Sequence, residues 1–118
     1  MNAQLEILLQ IQDLHGQIRD LSHMEASRAF EEQEFHIDGE KAAAELTAKI
    51  GELESELADG VRARYERVKG RGRVVVPVVH ETCYGCFVSL PTSRATEMAG
   101  NQQINTCDNC GRFLYVLG

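Results

Sequence analysis

The four cysteines of the chain fall in two C-x-x-C pairs, and thiols at this spacing are typical metal ligands. The first pair is Cys83-Tyr-Gly-Cys86, and the second, after twenty intervening residues, is Cys107-Asp-Asn-Cys110. Two residues between cysteines allow both sulfurs to reach one metal ion at about 2.3 Å, and two such pairs complete a tetrahedral shell. The sequence therefore predicts one structural Zn²⁺ held by all four cysteines.

The same cysteines permit two other interpretations, which are a pair of disulfides and a redox dithiol. Disulfides do not suit the cytoplasmic location that we infer below, and a thioredoxin-like dithiol requires a βαβ context that this sequence lacks. A complete four-thiolate shell leaves no open position for water or substrate, so zinc-assisted hydrolysis is not expected. Because we also find no nucleophile–base pair and no phosphate-binding loop, we expect a protein that is not an enzyme.

A small β scaffold must position the cysteines, and residues 70–118 supply its strands. Val74 to His80 is rich in β-branched residues and predicts a first strand, while Phe87 to Leu90 and Phe113 to Leu117 predict two more. Pro77 is expected at an edge or a bulge, because proline cannot donate to a strand ladder. So short a segment cannot bury enough surface to fold alone, and we expect zinc binding to supply the missing free energy.

Residues 1–69 predict a helical hairpin, because apolar residues recur at steps of four and three along two stretches. The seam residues are Ile7, Ile11, Leu14, Ile18 and Leu21, followed by Leu46, Ile50, Leu53 and Leu57. Asp38-Gly39 is a turn signal near the midpoint and divides the stretch into arms of roughly 2–37 and 40–69. The alternative is one continuous helix that dimerises along its seam, since a glycine inside a helix costs only about 1 kcal/mol.

The predicted fold is therefore α+β, with an antiparallel coiled-coil helical hairpin (residues 1–69) followed by a small C-terminal β zinc ribbon (residues 70–118). A homodimer through the coiled coil is compatible with either form of the helical part. The longest apolar run, Val74 to Val79, has six residues and contains a proline, whereas a membrane span needs about 20. No secretory signal pattern opens the sequence, and we expect a cytoplasmic protein without a membrane segment.

Charge is divided unevenly along the chain. The net charge is −6, but residues 1–60 contribute −10 and residues 61–118 contribute +4. Basic side chains concentrate just before and within the ribbon, where aromatic rings accompany them. This candidate surface for a partner or for RNA contains Arg62, Arg64, Arg67, Lys69, Arg71, Arg73, Tyr84, Phe87, Arg112 and Tyr115. The alternative is a solvated helix end, at which basic groups complement the helix dipole.

Acidic side chains concentrate near the predicted turn of the hairpin. They are Glu31, Glu32, Glu34, Asp38 and Glu40. An acidic tip on a helical hairpin beside a four-cysteine zinc module is similar to transcription factors that enter the secondary channel of RNA polymerase. The alternative is that these charges only solvate the helices.

Four stretches together resemble a bacterial family of C4-type zinc-ribbon proteins that carry an N-terminal coiled-coil hairpin. They are Asn2-Ala-Gln-Leu5, Tyr65-Glu-Arg67, Cys83-Tyr-Gly-Cys86-Phe-Val-Ser-Leu-Pro91 and Cys107-Asp-Asn-Cys110-Gly-Arg-Phe-Leu-Tyr115. The resemblance implies an adaptor in flagellar or type III secretion that binds the nitrogen-type alternative sigma factor, export components or messenger RNA. The arms of this chain are shorter than those of typical members.

We therefore expect a non-enzymatic zinc-ribbon adaptor whose partner is a protein, namely a sigma factor or a flagellar or type III secretion component. One alternative is RNA binding through the basic neck and the ribbon. Another is regulation of RNA polymerase through the acidic hairpin tip.

Overall fold

The structure is a computed structural model that describes residues 1–28 and 33–117, without the side chains of residues 24–28 and 33–39. Its elements are α1 (Ala3–Arg28), α2 (Gln33–Ser55), α3 (Asp59–Val68), β1 (Val75–Val79), β2 (Thr82–Cys83), α4 (Thr92–Met98) and β3 (Phe113–Val116). They form two compact units, one of residues 10–56 and one of residues 1–9 and 57–118. Helices with a small three-stranded sheet confirm the predicted α+β class. The predicted domain division at residue 69 stays a prediction.

The unit of residues 10–56 contains two helices that lie side by side. One open groove of about 380 Å³ is lined by Gln17, Asp20 and Leu21 of α1 and by Ala42, Glu45 and Leu46 of α2. In one continuous helix, residues 17 and 46 would be more than about 40 Å apart, so the single-helix alternative is wrong. Only four residues separate Arg28 from Gln33. Because so few residues cannot span the length of a helix, the two helices run antiparallel.

The boundaries of the helices differ from the predicted arms. The predicted turn at Asp38-Gly39 is wrong, because α2 begins at Gln33 and continues through both residues. A single glycine costs a helix only about 1 kcal/mol, which packing against a neighbouring helix readily outweighs. Residues 29–32 lie outside the described part of the chain. The predicted second arm is two helices, since α2 ends at Ser55 and α3 begins at Asp59.

The buried stripe of α1 also departs from the predicted seam. Leu5, Leu8 and Ile11 are 1% exposed or less, whereas Ile7 is only half-buried. Residues 5–11 include five apolar residues, so spacing alone permits more than one buried stripe. Residues 1–9 belong to the unit that contains the ribbon. Packing within that unit buries Leu5 and Leu8 rather than Ile7. None of the described helices is long and apolar enough to cross a membrane.

The start of α1 is bonded to distant parts of its own unit. The Asn2 side-chain oxygen accepts hydrogen bonds from the Gln4 and Leu5 N–H groups at 2.8 and 3.3 Å, which caps the helix. The Asn2 backbone N–H donates to the Asn101 carbonyl at 2.7 Å. The Gln4 side-chain oxygen accepts from the Ala58 N–H at 2.7 Å. These bonds fix the first turn of α1 to the segments before α3 and after α4.

The sheet has the strand order β2-β1-β3, in which β1 pairs antiparallel with β2 and parallel with β3. The expectation that Pro77 marks an edge is wrong, because β1 is the central strand. On one side of β1, the Val74 carbonyl accepts a hydrogen bond from β3, and the Val78 carbonyl accepts one from the residue after β3. On the other side of β1, the Pro77 carbonyl accepts a hydrogen bond from the Tyr84 N–H. Pro77 therefore has no bond to β3 to lose. The predicted strand from Phe87 to Leu90 is reduced to a single bridge at Ser89.

The two faces of the sheet bury different sets of side chains. Val76, Val78 and Leu114 form one cluster with Leu90, Met98 and the cysteines. Val75 and Phe113 are register partners that project from the opposite face, because successive residues of a strand alternate between faces. Buried side chains elsewhere in the same unit are Leu5, Leu8, Leu57, Tyr65, Val68 and Val74. The cysteines thus lie on one face of a sheet whose other face is also covered.

Candidate metal centre

Two turns in the same unit carry the four cysteines. Cys83 ends β2 and Cys86 follows it in a turn, while Cys107 and Cys110 flank the turn that precedes β3. We call residues 83–87 the first knuckle and residues 107–111 the second knuckle. Because β1 pairs with both β2 and β3, the sheet brings the two knuckles together despite their separation in sequence.

The sulfur atoms have the separations of a tetrahedral zinc shell. All four Sγ atoms lie within 4.8 Å of one another. Across the knuckles, Cys83 Sγ is 3.8 Å from Cys110 Sγ, and Cys86 Sγ is 3.7 Å from Cys107 Sγ. A tetrahedron with Zn–S bonds of about 2.3 Å has S···S edges of about 3.8 Å. The donor set and its geometry therefore fit one Zn²⁺.

Backbone N–H groups support the first cysteine of each knuckle in the same way. Cys83 Sγ accepts from the N–H groups of Gly85 and Cys86. Cys107 Sγ accepts from the N–H groups of Asn109 and Cys110. Such bonds favour the thiolate form that coordinates a metal. Backbone N–H groups thus stabilise one thiolate in each of the two turns.

The residue after the second cysteine has a left-handed backbone in both knuckles. Phe87 has a φ of 61° and Gly111 has a φ of 76°. The Phe87 N–H donates to the Cys83 carbonyl at 2.6 Å, and the Gly111 N–H donates to the Cys107 carbonyl at 2.9 Å. Glycine adopts this conformation freely, but a residue with a Cβ incurs about 1–2 kcal/mol. One structural position is therefore relaxed in the second knuckle and strained in the first.

Gly85 of the first knuckle does not have a positive φ, so a left-handed backbone does not explain why a glycine is there. A Cβ at this position would lie 3.0 Å from Arg112 Cδ and 3.2 Å from a Val76 methyl carbon. Gly85 thus allows the first knuckle to pack closely on β1.

Without metal, the thiols differ in their affinity for protons. Burial raises the pKa of the Cys83 thiol to about 12 and also raises the pKa of Cys107. The Asn109 side chain donates a hydrogen bond to Cys86 and lowers the pKa of that thiol to about 6. At neutral pH, Cys86 is therefore a thiolate while Cys83 and Cys107 hold protons that zinc must displace. Asn109 belongs to the second knuckle, so the second knuckle lowers the pKa of a thiol in the first.

Arg94 and Asn101 support the site, although the sequence did not single them out. Arg94 donates to the Thr106 carbonyl at 2.5 Å and lies 3.5 Å from an Asp108 carboxylate oxygen, which holds the loop that enters the second knuckle. The Asn101 side chain donates to the Val116 carbonyl and accepts from its N–H, at 3.1 and 2.8 Å. An amide that pairs with a strand in this way has no local sequence signal, because its partner lies fifteen residues away.

Two of the predicted partner-binding cations have partners within the chain. Arg112 donates to the Arg73 carbonyl at 3.0 Å and to the Arg71 carbonyl at 2.8 Å, so it ties the ribbon to the segment after α3. Lys69 Nζ lies 2.6 Å from a Glu66 carboxylate oxygen. These side chains have roles in the fold.

The remaining basic residues separate into two groups. Arg62 contacts the Leu57 carbonyl at 3.5 Å, and Arg73 is exposed. Arg64, Arg67 and Arg71 instead line one cleft of about 250 Å³. The other lining residues of the cleft are Val68, Thr106 and Gly111.

Two of the three predicted aromatic residues lie together. Tyr84 and Phe87 are on the first knuckle with ring centroids 5.6 Å apart, and both are exposed. Tyr115 is half-buried in β3, opposite Pro77. None of the three lines the cleft of Arg64, Arg67 and Arg71. The partner surface as a whole stays a prediction.

The acidic tip falls largely outside the described residues. Glu31 and Glu32 lie outside them, as do the side chains of Glu34 and Asp38. The Glu40 side chain is exposed.

Comparison with known proteins identifies the ribbon. Residues 82–114 match the family model of the C4-type zinc ribbon domain. The chain is similar to the structure of CT398 from Chlamydia trachomatis, with 25% sequence identity and a TM-score of 0.55 over 84% of this chain. The HP0958 protein from Helicobacter pylori matches over 98% of this chain and 77% of its own, with 16% identity and a TM-score of 0.46. A sequence search of curated proteins finds no match.

The chain spans 44% of the length of CT398, so the likeness concerns part of that protein. The family model and the sulfur geometry together confirm that residues 82–114 form a C4 zinc ribbon with one structural Zn²⁺. The predicted resemblance is therefore confirmed for the ribbon.

Proposed function

We propose that this chain is a non-enzymatic zinc-ribbon adaptor that binds a protein partner through the first knuckle. The observation that carries the proposal is an exposed apolar patch formed by Tyr84, Phe87 and Val88, whose side chains are 46%, 71% and 39% exposed. Exposed apolar patches mark interaction sites, and aromatic residues are enriched at protein interfaces. We call these three residues the aromatic patch.

Stability does not account for Phe87. Its ring is largely in solvent, so it adds little buried area to the fold. Its left-handed backbone costs about 1–2 kcal/mol, whereas the equivalent position of the second knuckle is Gly111. A strained residue that is also exposed supports a role in recognition. The closed four-cysteine shell supports a structural rather than a catalytic zinc, because it leaves no position for a substrate.

The partner class that we propose is a sigma factor or a flagellar or type III secretion component, which is what the resemblance to the adaptor family implies. We also propose a cytoplasmic location, since a reducing compartment keeps four cysteines available to bind zinc. RNA binding receives less support, because none of the predicted aromatic rings lines the cleft of Arg64, Arg67 and Arg71. Regulation of RNA polymerase depends on tip side chains that lie mostly outside the described residues.

The experiment that tests the proposal is a pull-down of the tagged, zinc-loaded protein from its native cell extract, with and without nuclease. Bound proteins are identified by mass spectrometry and then tested as purified proteins. Phe87→Gly removes the ring and relieves the backbone strain, so we expect it to abolish partner capture without lowering stability. Leu117→Ser is the matched control, because Leu117 is also an exposed apolar residue, 59% exposed, outside the aromatic patch.

A partner that survives nuclease, is lost with Phe87→Gly and is kept with Leu117→Ser establishes the adaptor function. Loss of all binding on nuclease treatment favours RNA instead. Equal capture by Phe87→Gly and the unaltered protein rejects the first knuckle as the docking site.

A further inference from the structure

Three arginines line a single cleft near the end of α3. Arg64 and Arg67 lie on α3, and their spacing of three residues places both side chains on one face of the helix. Arg71 follows the end of α3 and lines the same cleft. All three side chains are exposed, and the cleft that they line has a volume of about 250 Å³. We call this feature the arginine cleft.

The guanidinium groups of these arginines have no acidic or carbonyl partner among the described residues. Other cations of the same unit do have partners, because Lys69 pairs with Glu66 and Arg94 lies beside Asp108. Like charges grouped around a small cleft repel one another, and an anion placed between them relieves that repulsion. The arrangement is therefore complementary to a ligand with more than one negative charge.

We propose that the arginine cleft binds an acidic peptide segment, and thus forms a second contact surface separate from the aromatic patch. The planar guanidinium fork donates two parallel hydrogen bonds to one carboxylate, so neighbouring Asp or Glu side chains of a peptide would each engage an arginine. Thr106 lines the same cleft, and a threonine hydroxyl is a hydrogen-bond donor for carboxylate oxygens.

An acidic peptide fits the cleft better than RNA does. Sites for single-stranded nucleic acid combine basic groups with aromatic rings on which bases stack, and no aromatic residue lines this cleft. The net charge of −6 also repels a long polyanion, whereas a short acidic segment experiences mainly the local arginines. The volume suits one or two carboxylate side chains rather than a continuous phosphate backbone.

The test measures binding of the full-length, zinc-loaded protein to three fluorescent probes by anisotropy. The probes are a short peptide rich in Glu and Asp, the same peptide with Gln and Asn, and a single-stranded RNA of equal charge. We expect the acidic peptide to bind most tightly. Replacing Arg64, Arg67 and Arg71 with Gln should weaken its binding by roughly tenfold or more. The matched control removes three exposed cations elsewhere, by Arg19→Gln, Lys41→Gln and Lys49→Gln.

Zinc content is measured for every variant to check its folding. Each single arginine variant is also tested, so that peptide binding can still be compared if the triple variant fails to fold. Equal weakening by the control triple would mean unspecific attraction and would overturn the proposal. Tighter binding of RNA than of the acidic peptide would also overturn it. Phe87→Gly should leave peptide binding unchanged, so failure of the arginine cleft and failure of the aromatic patch are distinguishable outcomes.

Discussion

The two knuckles hold the same metal with the same backbone geometry, but their side chains differ. In the second knuckle, the left-handed position is Gly111, where an added Cβ would lie 3.6 Å from a Val68 methyl carbon, an ordinary contact distance. In the first knuckle, the same position is Phe87, which is strained and 71% exposed. The second knuckle therefore has the residue that stability favours, and the first has a residue that stability opposes.

This difference separates the roles of the two turns. Arg94 holds the loop of the second knuckle through Thr106 and Asp108, and Asn109 reaches across to Cys86. The first knuckle instead presents Tyr84 and Phe87 to solvent. Two halves of one metal centre can thus diverge, because the zinc stabilises both and leaves their outward-facing side chains free to change.

The largest expected effect follows from removing one ligand of either knuckle. Cys83→Ser and Cys107→Ser should each abolish zinc binding and unfold the ribbon, because structural zinc contributes on the order of 10 kcal/mol or more to folding. Metal analysis and circular dichroism measure both effects. His80→Ala is the control, since His80 precedes Cys83 by three residues but is not part of the cysteine cluster. Full zinc retention in either cysteine variant would contradict a single shared shell.

Zinc binding should weaken as the pH falls, because protons compete with zinc for the cysteine sulfurs. The raised pKa values of Cys83 and Cys107 mean that both thiols are protonated at neutral pH in the metal-free protein and lose their protons to bind zinc. Affinity should therefore rise with pH, by about a hundredfold per unit from the protons of Cys83 and Cys107 alone. Below the Cys86 pKa of about 6, the proton of Cys86 should steepen the dependence further.

Competition with a chelator of known affinity, from about pH 5 to pH 8, measures the slope on both sides of the Cys86 pKa of about 6. Asn109→Ala removes the hydrogen bond that lowers the pKa of Cys86, so the steeper region should move to higher pH. An affinity that does not change with pH would show that the thiols are already deprotonated.

The smallest expected effect comes from exchanging the residues that distinguish the knuckles. Gly111→Phe introduces strain at a φ of 76° and should destabilise the zinc-loaded protein by about 1–2 kcal/mol. Phe87→Gly removes similar strain, but glycine raises the conformational entropy of the unfolded chain, which costs roughly 0.5–1 kcal/mol of stability. Its net effect on the free energy of unfolding should therefore be near zero or slightly stabilising. Thermal unfolding of both variants measures the asymmetry. Equal destabilisation by the two exchanges would mean that Phe87 contributes to the fold after all.

The site was more predictable than the helices that precede it. Cysteine spacing identified all four ligands, because a turn of two residues between thiols has few other uses at this separation. The turn at Asp38-Gly39 was placed wrongly, because packing of the two helices stabilises a continuous α2 by more than the local turn preference opposes it. The stripe of α1 was partly wrong for a related reason. Leu5 and Leu8 are buried in the unit with the ribbon, whose position the spacing of α1 does not encode.

The sequence alone determined the metal, its four ligands and the α+β class, because each depends on residue types at short and regular spacing. The tertiary structure decided which cations have partners within the chain, since Arg112 and Lys69 are engaged there while Arg64, Arg67 and Arg71 line one cleft. It also revealed that Phe87 occupies a position equivalent to Gly111. Long-range hydrogen bonds and the backbone angles of the knuckles form only when the chain folds, so neither feature can be read from the order of the residues.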